Sequence, residues 1–185
     1  TSPKKEELIQ VSGVYFDTVI QIQAWDAVPD VLENCKEMCQ EYENKFSTEI
    51  PTSEIAQINS AHGNPVNVSD ETIDILKTAL YYCKLSNGKF DITIAPVSKL
   101  WDFNGEHSGT LPNSEDISNA LTHVGYQNIV LNGNSVTLLD PEAQIDLGGI
   151  AKGYIADRLK EYLLSMNVHH ALINLGGNIL AVGNR

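Results

Sequence analysis

Asp146-Leu147-Gly148-Gly149-Ile150-Ala151-Lys152-Gly153-Tyr154-Ile155-Ala156-Asp157 has the residue types of an anion-binding turn. A carboxylate ends an apolar run, two glycines follow, and a lysine sits where an amphipathic helix begins. Adjacent glycines let a backbone approach a ligand closely and adopt positive φ. A helix N-terminus offers unpaired N–H groups and a partial positive charge. A cation in that first turn is disfavoured by a few tenths of a kcal/mol, so Lys152 makes sense when an anion such as a phosphate shares the site. Asp146 is placed to accept hydrogen bonds from a ligand or to help hold a metal ion. The plain alternative is a tight strand-to-helix connection with the aspartate as its cap. Neither a Walker loop nor a Gly-x-Gly-x-x-Gly fingerprint is present.

The elements that must position this turn are read from periodicity. Residues 11–24 alternate as one strand, with Val14, Phe16, Thr18, Ile20 and Ile22 on one face. Residues 30–47 read as a helix burying Val31, Leu32, Cys35, Met38, Cys39, Tyr42 and Phe46, with Pro29 at its start. A short helix covers 53–59. Ser69 caps a helix over 70–86 with Ile73, Leu76, Leu80 and Cys83 inward, closed by Asn87-Gly88. Residues 89–110 read as an extended, loop-rich segment around Pro96 and Trp101. Pro112 and Ser114 open a helix that ends near Gly125. Residues 127–139 form a hairpin turning at Asn132-Gly133-Asn134. A strand to Leu147, a helix over 150–166, and strands near 170–175 and 178–183 complete the chain. Mixed helices and hairpins predict an α+β fold, and no linker divides residues 1–185, so a single domain is expected.

Composition fits a globular protein, with 42% hydrophobic and 19% charged residues in 185. A net charge of −12 argues against nucleic acid and anionic lipid as general partners. It leaves room for an anionic ligand, since dipoles and a lysine or two dominate a small site. No apolar run approaches the roughly 18 residues of a membrane helix. There are three cysteines, and an odd number without Cys-x-x-Cys argues against a disulfide framework or a structural zinc site. Each falls on an apolar face, where core packing is its role.

Other candidates carry two readings each. Asp91 is either a site carboxylate or a cap for the turn after Gly88. Phe16 and Phe90 are either ligand contacts or core aromatics. Trp101 is an apolar anchor suited equally to ligand stacking and to packing. Lys89 is otherwise an ordinary surface lysine. Asn174-Leu175-Gly176-Gly177-Asn178 fits a bulge or a tight strand crossing as well as a site loop. His169 and His170 lack metal-ligand spacing, and no Gly-x-Ser-x-Gly elbow is present.

Taken together, the Asp146 stretch, Phe90-Asp91-Ile92-Thr93-Ile94-Ala95-Pro96 with Leu100-Trp101, and Asn174-Leu175-Gly176-Gly177-Asn178 resemble the ApbE family, the FAD:protein FMN transferases once called thiamine biosynthesis lipoproteins. Phe16-Asp17-Thr18 and Ser53-Glu54-Ile55-Ala56-Gln57-Ile58-Asn59 add to the match, and the motifs occur in the family's order. The resemblance implies an ApbE-like mixed sheet-and-helix domain. In the family the chain continues past this point, through a Thr-Ser-Gly motif, a His-containing segment and an Asp-x-x-x-Thr metal motif. None of these is in residues 1–185, so the C-terminal part of the family fold is expected to be missing.

The resemblance further implies magnesium-dependent transfer of FMN from FAD to a Ser or Thr hydroxyl of a target flavoprotein, with release of AMP. Such chemistry is mostly positioning and charge neutralisation, and magnesium prefers oxygen ligands. Asp146, Lys152, and the segment Lys89-Phe90-Asp91 match FAD-contacting positions. Gly149 matches the position whose main-chain carbonyl helps ligate the metal. Phe16 stands where many relatives carry a flavin-contacting methionine in Met-Gly-Thr. Asn59 matches an asparagine near the site whose role stays open, and no contact carries over to Glu49. Two alternatives share these residues: an FAD pyrophosphatase giving FMN and AMP, and a flavin-binding module without catalysis. Family members are exported and lipid-anchored at an N-terminal cysteine. Thr1–Lys5 resembles the tether after such a site, which implies an extracytoplasmic, membrane-held location.

Overall fold

The computed structural model describes residues 7–101 and 109–183. The proposed tether at Thr1–Lys5 and part of the 89–110 segment lie outside them. In chain order the first elements are β1 (Ile9–Tyr15), β2 (Thr18–Ala24), α1 (Pro29–Phe46), α2 (Glu54–Ser60), β3 (Val66–Asn67), α3 (Asp70–Leu85) and α4 (Ala95–Ser98). Then come α5 (Ser114–Leu121), β4 (Ile129–Asn132), β5 (Ser135–Leu138), α6 (Ala151–Ser165), β6 (Ala171–Leu175) and β7 (Asn178–Val182). The α+β expectation holds. The chain forms two compact units: one from Thr1–Asn44 with Ile150–Arg185, the other from Lys45–Gly149. No helix among the described residues is long and apolar enough to cross a membrane.

The first unit holds an antiparallel sheet in the order β1-β2-β6-β7. Its core combines Ile20 and Ile22 of β2, Ile173 and Leu175 of β6, Leu32, Cys35 and Cys39 of α1, and Ile155, Leu159 and Leu163 of α6. Helix α6 packs on β6 and β7. Asn34 of α1 donates to the Tyr162 hydroxyl of α6 at 2.9 Å, and Tyr42 meets Tyr154 edge-to-face. The three cysteines are buried and free, and burial pushes the Cys35 and Cys39 thiols up to about 12.

The single strand expected over 11–24 is two strands joined by a two-residue turn at Phe16-Asp17. A two-residue turn reverses which parity of residue faces inward. Val14 therefore pairs with Val19 on the solvent side, 69% and 64% exposed, while Ile20 and Ile22 stay inside. The same geometry recurs at Gly176-Gly177, which joins β6 to β7 with φ of 59° and 91°. The Asn174–Asn178 stretch is thus a hairpin turn rather than a bulge or crossing, and Asn174 accepts the Gly177 N–H.

At the other end of this sheet, Asp26 accepts the N–H groups of His169 and His170 at 2.8 and 3.1 Å and faces the His170 ring. Burial pushes the Asp26 carboxyl up, but these donors together outweigh it and hold the group below the usual carboxylate value. A lowered folded pKa adds stability that is complete above the unfolded value of about 4 and is lost as pH falls through the folded one. Asp26→Asn should therefore be less stable than wild type near neutrality. That gap should close below about pH 4, as read from urea midpoints.

The second unit holds a sheet in the order β3-β5-β4 with helices α2 to α5. Ser53, Ser69 and Asn113 cap α2, α3 and α5 by accepting N–H groups at their third helical residues. The cap of α5 is therefore Asn113, since Ser114 lies already inside the helix. Helix α3 ends as expected, with Asn87 and Gly88 at φ 52° and 76° and Gly88 N–H donating to Cys83. Its inward face is Ile73, Ile75, Leu76, Ala79 and Cys83, with Leu80 only half-buried.

The strand expected up to Leu147 takes a different form. Residues 143–147 alternate strictly between buried and half-buried, yet their only bridge is Ile94 to Gln144. Asp146 N–H donates to the Ile92 carbonyl at 2.7 Å. The missing strand neighbour is replaced by one side chain: the Asn59 amide donates to the Ile145 carbonyl at 2.8 Å and accepts the Ile145 N–H at 2.7 Å.

Candidate functional site

In the second unit, two parallel segments bring Phe90, Asp91, Asp146 and Gly149 together. Asp146 folds into a local turn, its Oδ1 accepting the Gly148 N–H at 2.7 Å. Gly148 and Gly149 do not adopt positive φ, so the reason for glycine is space. A Cβ on Gly149 would lie 2.9 Å from the Phe90 ring, and one on Gly148 would lie 3.0 Å from Asp146 Oδ1. Gly149→Ala should then cost about 1–3 kcal/mol through overpacking. The loss should show as a lower urea midpoint and shrink in a Phe90→Ala background.

Asp91 is a brace rather than a cap of the Gly88 turn. Its Oδ1 accepts the N–H and hydroxyl of Thr93 at 2.8 and 2.7 Å, and its Oδ2 accepts the Tyr126 N–H at 2.9 Å. Fully buried Thr93 in turn accepts the Gly125 N–H. Phe90 N–H donates to the Ser86 hydroxyl at 3.0 Å, and Lys89 is exposed just before it. Trp101 is half-buried at the end of the turn that follows α4.

The Ser53–Asn59 motif is the framework of this site. Ser53 caps α2, Ile55 and Ile58 are buried, and Asn59 pairs with Ile145 next to Asp146. Glu54 accepts the Ser69 N–H and hydroxyl at 2.7 and 2.8 Å and the Thr72 hydroxyl, which ties α2 to the start of α3. No local pattern marks Thr93 and Glu54 as functional candidates, since the Gly125, Ser69 and Thr72 groups that bind them lie 15 to 32 residues away.

In the first unit, Phe16 and Lys152 come together. They line a small apolar hollow of about 10 Å³ with Tyr15, Thr18, Cys39 and Leu175. The register of β2 against β6 puts both hairpin turns at one end of the sheet: Gly176 N–H donates to Val19, and a Cβ on Gly176 would meet Thr18 at 2.5 Å. The first turn of α6 lies at that same end, with Gly153 near the Asn178 amide. Ile150 precedes the helix without a side-chain cap, so its N-terminal N–H groups are left for another acceptor. Gly149 and Ile150 are consecutive, so the glycine motif itself is shared by the two units.

Among the described residues no three His, Cys, Asp or Glu side chains group to hold a metal ion. The turn offers the Asp146 carboxylate and main-chain carbonyls such as that of Gly149. These are hard oxygen donors of the kind magnesium takes.

Within the first unit, helix α6 starts without a side-chain cap and Lys152 of its first turn lines the apolar hollow. The ApbE family model matches residues 16–185, and the chain belongs to that family. It is 36% identical over 150 residues to an FAD:protein FMN transferase of Klebsiella pneumoniae, covering 80% of this chain and 47% of that one. It is 28% identical over 148 residues to the Vibrio cholerae enzyme of the same name, covering 79% and 44%. Among solved structures, the ApbE protein of Thermotoga maritima matches at a TM-score of 0.88 and 28% identity, covering 97% of this chain and 60% of that one. The chain spans about half the length of the curated relatives it matches.

Proposed function

We propose that this chain is the flavin-holding part of a magnesium-dependent FAD:protein FMN transferase. The supporting observation is the Asp146–Lys152 turn, with Gly149 packed against Phe90 and its helix left uncapped, in a chain 36% identical to a transferase of that name. In the reaction, a Ser or Thr hydroxyl of a target flavoprotein attacks the FMN phosphorus of FAD. The new O–P bond forms, the pyrophosphate bond breaks, AMP leaves, and the hydroxyl proton passes to a base. Lys152 and the α6 N-terminus stabilise phosphate oxygens. Phe16 and Phe90 offer apolar surface to the isoalloxazine ring, while Lys89, Asp91 and Asp146 complete the flavin contacts. The Gly149 carbonyl would hold part of the coordination shell of a magnesium ion, which would supply charge neutralisation for the pyrophosphate.

The test is incubation of the full-length protein with FAD, magnesium and an acceptor flavoprotein. A covalent FMN adduct on a Ser or Thr, with one AMP released per adduct, is expected. AMP release that is independent of acceptor would instead assign a pyrophosphatase, and flavin binding without AMP release would assign a binding module. On the resemblance, the whole protein is proposed to be extracytoplasmic and lipid-anchored, which fractionation of cells and labelling with a fatty acid would check.

A further inference from the structure

The turn at Phe16-Asp17 is strained. Both residues are non-glycine and both have left-handed φ, 52° and 55°. For an aromatic residue this is a true outlier. Such a conformation persists only where surrounding structure over-determines it. In a two-residue hairpin turn the first turn residue's N–H has no partner within the hairpin. Here that N–H, from Phe16, donates to Glu43 Oε1 at 2.8 Å. Glu43 comes from the C-terminal part of α1, 27 residues later. It is half-buried, and Gln40 approaches its other oxygen. The bond is charge-assisted, so it is of the stronger kind.

We propose that Glu43 is a positioning residue that holds the β1–β2 turn in its left-handed form and so sets Phe16 on the wall of the hollow it shares with Lys152. This rests on the reading of that hollow as a flavin contact. Without the bond, the turn relaxes toward ordinary φ, and the Phe16 ring leaves the wall. Glu43 touches no ligand itself; it acts through the backbone of Phe16. Glycine at position 17 occupies positive φ without strain, so it should make the bond to Glu43 less necessary.

The experiment uses the full-length protein and FAD, with Glu43→Ala, Glu43→Gln and the double variant Glu43→Ala/Asp17→Gly. Folding of each is checked by thermal melting. Loss of the bond should raise the FAD Kd roughly five- to tenfold in Glu43→Ala, since about 1.4 kcal/mol is tenfold. Glu43→Gln keeps an accepting oxygen and should stay within about twofold of wild type. The double variant should recover most of the loss. Unchanged FAD affinity in Glu43→Ala, or no recovery with glycine at 17, would overturn the proposal. Amide exchange at Phe16 provides a flavin-independent readout and should quicken at least about tenfold in Glu43→Ala. If wild type takes up no FAD, the flavin reading fails, and exchange at Phe16 alone decides whether Glu43 holds the turn.

Discussion

Replacing Asn59 with alanine should lower the unfolding free energy by about 3 kcal/mol, among the largest losses expected of any single side chain in the protein. The Asn59 amide stands in for a strand. It satisfies both the N–H and the carbonyl of Ile145, a residue with no exposure, in a segment that has no ladder on that side. Alanine strands both backbone groups, each worth about 1–3 kcal/mol when buried and unpaired. The melting temperature should fall by roughly 6–12 °C, at about 2–4 °C per kcal/mol for a chain of this size. Asn59→Asp sharpens the test. It keeps an acceptor for the Ile145 N–H but places a second acceptor against the Ile145 carbonyl, so it should lose nearly as much. A loss under about 1 kcal/mol in both variants would show that Ile145 finds other partners. Because Asp146 is the next residue, FAD affinity should fall with stability in both variants.

The reading of the chain as sequence succeeds where physics is local. Helices α1, α3 and α6 were legible because apolar residues recur at helical spacing and Ser69 and Asn87-Gly88 mark the ends of α3. The β1–β2 hairpin was not legible, because Phe16-Asp17 carries no glycine or asparagine to announce a left-handed turn. Apolar residues also continue through it, so Val14 was placed on the wrong face. The Asp146–Gly149 turn stood out by its glycines, but the reason for them was not. Positive φ was expected, and crowding by Phe90 is what the structure shows. Asn59 and Asp91 could be located by family resemblance alone. Their work as clamp and brace depends on Ile145 and Tyr126, 86 and 35 residues away, and no local pattern encodes such pairs.

Asp91→Asn should destabilise the protein by about 2 kcal/mol or more, although it changes no side-chain volume. All three bonds to this carboxylate come from donors: the N–H and hydroxyl of Thr93 and the N–H of Tyr126. An amide has one oxygen. If that oxygen stays with Thr93, the new NH₂ faces the Tyr126 N–H, donor against donor. If it turns to Tyr126, both Thr93 donors lose their acceptor, one of them on a hydroxyl that also accepts from Gly125. Either rotamer strands at least one group at a part-buried site. Asp91 lies between Phe90, which packs on Gly149, and Ile92, whose carbonyl receives the Asp146 N–H. Loosening it should displace both site segments, and FAD affinity should fall in step with the melting temperature. The same variant separates the two roles open to Asp91. Loss of FAD binding at an unchanged melting temperature would make the carboxylate a ligand contact with little bracing function. Parallel losses would make it chiefly the brace that keeps Phe90 against the glycine turn.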